Sequence, residues 1–128
     1  MADEVAWPTE EIPDADFVFM RAHKVFFKGD ELAPGVFRPQ DGGMSADWNK
    51  YAKPEDTRNR ARKNPLDNAI VELPVGHIRN IGGLTVEHTP ETDNRAHCEV
   101  FNLPEHSEEL TRVRVMLLRI SRVVIGIG

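Results

Sequence analysis

Residues 17–27 (FVFMRAHKVFF) constrain this chain more than any other stretch. They are dense in aromatic and β-branched residues, carry no Pro or Gly, and are closed off by Gly29-Asp30. That composition predicts a β-strand. With a period of two, Phe17, Phe19, Arg21, His23, Val25 and Phe27 share one face, and Val18, Met20, Ala22, Lys24 and Phe26 the other. Both faces are largely apolar, which predicts a central strand covered on both sides. Arg21 and His23 then sit inside an aromatic row. A buried cation must be paired or hydrogen-bonded, since its desolvation otherwise costs several kcal/mol. Two roles satisfy that rule: a structural pair with a core carboxylate, or an anion-binding site lined by Arg21 and His23.

Further elements follow from spacing. Residues 33–43 are loop by their density of Pro, Gly and Asp. Residues 54–63 (PEDTRNRARK) suit a short exposed helix, with Pro54 first, acids in the first turn and bases in the last. Residues 69–73, 84–88 and 95–101 read as strands, and PVGHIRNIGG between the first two holds one helical turn from Pro74. Pro104 opens the strongest helix, running to about residue 122. Leu110, Val113, Leu117, Ile120 and Val124 recur at helical spacing, the stripe of a helix packed on a sheet. The β-branched Val123 to Ile125 suit a last strand. The expected fold is α+β: a mostly antiparallel sheet of four to five strands against a long C-terminal helix.

At 128 residues and 40% apolar, the chain suits one domain with one core. We expect an acidic leader over 1–15 and a single domain over 16–128. The first 16 residues carry −6 and the remainder +1, so the body is near neutral. A neutral body is a poor footprint for duplex DNA. No stretch approaches the apolar length of a membrane helix, the start lacks a secretory pattern, and Cys98 has no partner. A cytoplasmic, reducing setting fits these features.

Candidate chemistry gathers on strand residues. In RAHCEVF, Cys98 faces the core as inert packing, while Arg95, His97 and Glu99 face the other way. Glu99 then stands where it can orient the His97 imidazole. His88 ends the preceding strand, and a hairpin through PETDN brings it near His97. His23 and His97 are the candidate acid–base pair. Arg21 and Arg38 would hold phosphate charge, Trp48 would stack a base, and Ser45, His88, Asn94 and Glu99 would complete a ligand-binding set. Ser45 lacks the GxSxG setting of a nucleophile. His88, His97 and Glu99 form an N/O set that would suit zinc or iron, although no metal motif is present, and no cofactor is expected. The basic run Arg58, Arg60, Arg62 and Lys63 could touch RNA.

The pairing of GGMSADWNKYAKPED with NRAHCEV downstream resembles a pattern in small uncharacterised bacterial proteins. The resemblance spans much of residues 20–120 and implies that Ser45, Trp48, Asn94 and His97 act as a set. Three functions are compatible with these residues. The foremost is a non-catalytic interaction module of a bacterial multi-protein system, with a protein partner or a second copy of itself. The others are a small enzyme acting on RNA or a nucleotide through a His/Arg site, and a metal-dependent site.

Overall fold

The computed structural model describes residues 7–39 and 42–128. Residues 1–6 of the leader and Gln40 and Asp41 of the 33–43 loop lie outside the described residues. The predicted first strand is shorter than expected: β1 spans Phe17–His23. The His23 side chain accepts the backbone N–H of Val25 at 3.1 Å and turns the chain into a 3₁₀ turn over Lys24–Phe26. A ribbon of β2 (Phe27–Lys28) and β3 (Glu31–Leu32) follows.

The segment from Gly43 to Trp48, for which no strand is expected above and whose Trp48 would stack a base, is strand β4 (Gly43–Trp48). Gly43 has a packing reason: a Cβ there would lie 2.8 Å from both Glu99 Oε2 and Phe101 Cε1. Helix α1 (Pro54–Asn59) stops short of residue 63 because it lacks an apolar stripe to hold a further turn. Then come β5 (Asn68–Pro74), the single-turn α2 (Val75–Arg79), β6 (Thr85–His88), β7 (His97–Phe101), α3 (Ser107–Ile120) and β8 (Arg122–Ile125).

Six strands, not four to five, form one antiparallel sheet in the order β6-β7-β4-β1-β5-β8. The fold is α+β, with α3 against the sheet. The strand not expected is β4, while β8 is the last strand that Val123 to Ile125 suit.

β1 is central, but only one of its faces is fully covered. Val18, Met20 and Ala22 pack with Met44, Ala46, Trp48, Val71, Leu73, Cys98 and Val100 in the core, closed over by Val75, Ile78, Val113 and Leu117. Val113 and Leu117 are the buried positions of the α3 stripe. On the opposite face α1 packs mainly over β1, β5 and β8. Arg21 lies on that face and is exposed, so it is not the buried cation expected from the aromatic row.

The described part of the acidic leader packs on the body. Ile12 is buried in the core, and Trp48 Nε1–H donates to Asp16 Oδ2 at 2.8 Å. Glu10 meets Lys50 at 2.6 Å and also accepts from the Tyr51 hydroxyl. Those two hydrogen bonds hold the Glu10 carboxyl below the usual carboxylate range, and its charge raises the Lys50 ammonium in turn. Arg79 binds Asp14 at 2.7 Å. The Arg95 guanidinium lies between the rings of Trp7 (4.7 Å) and Tyr51 (4.2 Å).

Candidate functional site

Where α1 leaves the sheet uncovered, a cleft of about 710 Å³ opens. Its floor follows from strand register. Phe19 of β1, Asp47 of β4 and His97 of β7 lie side by side across three neighbouring strands, and Ser45 is two residues from Asp47 on the same face. Arg21 and the α1 side, with Thr57, Arg60 and Arg62, form one wall. Glu91, Asp93 and Asn94 from the turn between β6 and β7 form the other.

Asp47 anchors the floor. It is 4% exposed, and its two oxygens accept from Thr57 Oγ1 at 2.7 Å and Asn94 Nδ2 at 2.9 Å. Asn94 in turn accepts the Ala96 N–H at 3.1 Å, which fixes the start of β7. Arg60 Nε stands 3.8 Å from Asp47, and Arg21 Nη1 donates to the Thr57 carbonyl at 3.0 Å. Arg62 makes no ion pair among the described residues.

His97 is held from behind. Its Nδ1 lies 2.8 Å from the Thr89 carbonyl and 3.1 Å from Thr89 Oγ1. A carbonyl can only accept, so in the neutral ring Nδ1 carries the proton and Nε2 presents its lone pair. Nε2 faces Ser45 Oγ at 3.3 Å, with Glu91 Oε2 at 3.8 Å. The backbone of Thr89, not Glu99, orients the imidazole. Glu99 stands on the same sheet face but beside Gly43, off the cleft.

Of the residues singled out from sequence, Arg21, Ser45, Asn94 and His97 meet in this cleft. The others do not join them. His23 caps the 3₁₀ turn after β1, so it is not the acid–base partner of His97. Arg38 lies over the Phe26 ring at 5.0 Å. Trp48 points to the opposite face into the core, where no base can stack on it. His88 also faces that side, because it pairs with Cys98 rather than with His97. It is buried, its Nδ1 accepts the Glu10 N–H at 3.0 Å, and its Nε2–H donates to the Arg95 carbonyl at 2.7 Å. With His88 on one face and His97 and Glu99 on the other, that trio does not assemble around one ion. Among the described residues no group of three His, Cys, Asp or Glu side chains is arranged to hold a metal.

Asp47, Thr57, Glu91 and Asp93 were missed as site residues. A strand reading of GMSADW would have found Asp47, since its period sets Ser45 and Asp47 opposite Met44, Ala46 and Trp48. Arg60 and Arg62 belong to the basic run already noted.

No protein-family model, no curated protein and no solved structure matches this chain. Among the described residues no helix is long and apolar enough to cross a membrane.

Proposed function

We propose that the cleft is the active site of a small enzyme acting on a phosphate-bearing substrate, a nucleotide or RNA. His97 is the general base, and Arg21, Arg60 and Arg62 bind the phosphate charge. The observation that carries this reading is the His97 lone pair, turned by Thr89 into a cleft walled by three guanidinium groups. Proton transfer by a positioned imidazole is worth about 10²–10⁴-fold in rate. Guanidinium forks suit phosphate oxygens and stabilise charge that develops on them. Glu91 and Asp93 on the opposite wall can accept from sugar hydroxyls or an exocyclic amine.

The test is turnover by purified protein of a panel of nucleoside mono-, di- and triphosphates and an unstructured RNA oligonucleotide, followed by chromatography. His97→Ala should lower turnover by about 10²-fold or more with the fold intact, and Arg62→Ala should mainly raise KM. Absence of turnover across the panel, or equal turnover by His97→Ala, would overturn the reading.

A second reading, an interaction module that self-associates, is favoured by the β8 edge of the sheet. Val123 is exposed there, and so are Leu66 and Ile127 beside the Gly128 N–H···Leu66 carbonyl bond of 2.9 Å. Among the described leader residues, Glu10 and Asp14 pair with Lys50 and Arg79 of the body. Sedimentation velocity decides: a dimer dissociated by Val123→Lys supports this reading, and a monomer at all concentrations removes it.

A further inference from the structure

A serine hydroxyl is a poor nucleophile unless a neighbouring base takes its proton as it attacks. Ser45 has such a neighbour. It is exposed on β4, and His97 Nε2 is 3.3 Å from its Oγ. The proton on the far nitrogen of that ring is fixed by the Thr89 carbonyl, which takes the orienting position a carboxylate has in a Ser-His-Asp triad. Once the imidazole gains a proton, the Glu91 carboxylate 3.8 Å from Nε2 offsets part of its charge.

The platform is stiff. β4 pairs with β7 from Gly43 to Asp47, Ser45 opposite Glu99, and with β1 at Asp47 and Trp48, and Ala46 and Asp47, next in the chain, are both buried. A reacting group on a rigid central strand keeps its alignment better than one on a loop. Arg21, Arg60 and Arg62 line the same cleft, where negative charge would build on a substrate attacked from Ser45.

We infer that Ser45 is the nucleophile of this site and forms a covalent phosphoseryl intermediate; the inference rests on the enzymatic reading given above. The Ser45 hydroxyl proton passes to His97 Nε2 as the Oγ–P bond forms. The bond from phosphorus to the leaving oxygen breaks, and that oxygen takes the proton from Nε2. A water then gives its proton to Nε2 and attacks phosphorus. The Ser45 Oγ–P bond breaks, and Ser45 recovers its proton from the imidazolium. No electrons are gained or lost.

Diisopropyl fluorophosphate tests the assignment directly, because its P–F bond breaks as the Ser45 Oγ–P bond forms, releasing fluoride and the serine proton. The folded chain should gain one diisopropylphosphoryl group, mapped to Ser45 by peptide mass spectrometry. Ser45→Ala should gain none, and His97→Ala should react about 10²-fold more slowly or less. Urea-unfolded protein should not react. No adduct on the folded chain, or an adduct that survives Ser45→Ala, would overturn the inference. Turnover separates the two claims: if Ser45→Ala retains turnover that His97→Ala loses, water is the nucleophile and only the general-base reading stands. If both variants retain it, both readings fall.

Discussion

Replacing Asp47 with Ala tests how the cleft is built, because its carboxylate satisfies two buried donors at once. The Thr57 hydroxyl and the Asn94 amide bond it at 2.7 and 2.9 Å, and both of those residues are themselves buried. Each donor left without an acceptor costs about 1–3 kcal/mol. The loss is partly offset, since a buried carboxylate no longer has to be desolvated. The Arg60 contact at 3.8 Å adds little, because its guanidinium is partly in water. The net destabilisation expected is about 2–4 kcal/mol, a large share of the roughly 5–15 kcal/mol that holds a domain folded. Urea unfolding followed by tryptophan fluorescence reads it, and with a slope of about 1–3 kcal/mol/M the midpoint should fall by roughly 0.7–4 M. Asp47→Asn should lose less than half as much, because its carbonyl still accepts from Asn94 and its amide can donate to the Thr57 oxygen. A value for Asp47→Ala within about 0.5 kcal/mol of wild type, the range of an inert surface change, would refute the argument that Asp47 organises the floor.

Two predictions concern pH. Glu10 has its titration lowered in the fold, so its contribution is present above the ordinary 4.5 and is lost as pH falls through the lower folded value; in a carboxyl-carbon NMR titration Lys50→Ala should move Glu10 upward, and no movement would contradict the pairing. Burial pushes the Cys98 thiol well above the ordinary 9.0, so stability is full below that value and declines as pH rises past it. The urea midpoint should therefore drop more steeply above pH 9.0 in wild type than in Cys98→Ala, and thiol reagents should label Cys98 only as fast as the chain unfolds.

Patterns of period two and helical spacing were legible where an element had a clear apolar side. β6, β7 and α3 fall close to their expected places because their buried residues recur at the spacing of the element, and β5 because it is a short apolar run buried almost throughout. The parity of RAHCEVF set Cys98 inward and His97 outward, as found. β4 was not legible, since Gly42-Gly43 resembles a turn and the reason for Gly43 is a close approach by Glu99 and Phe101 from another strand. The end of β1 was hidden for a similar reason: the composition continues to Phe27, but a local His23 side-chain bond to Val25 N–H turns the backbone. For the site, sequence could nominate Arg21, Ser45, Asn94 and His97, but not their company. The Asp47–Thr57–Asn94 network joins residues ten and 47 positions apart, a relation created by the packing of α1 on the sheet and the pairing of β4 with β7. His88 misled because register, not sequence distance, decides which side of a hairpin a side chain takes.

Long-range ¹H–¹⁵N NMR of the two hairpin histidines tests the central claim most directly, by reading which ring nitrogen carries the proton near neutral pH. The account expects opposite tautomers: Nε2–H for His88, whose Nδ1 accepts from Glu10, and Nδ1–H for His97, whose Nε2 faces Ser45. Finding His97 protonated on Nε2, with Nδ1 bare against the Thr89 carbonyl, would contradict it.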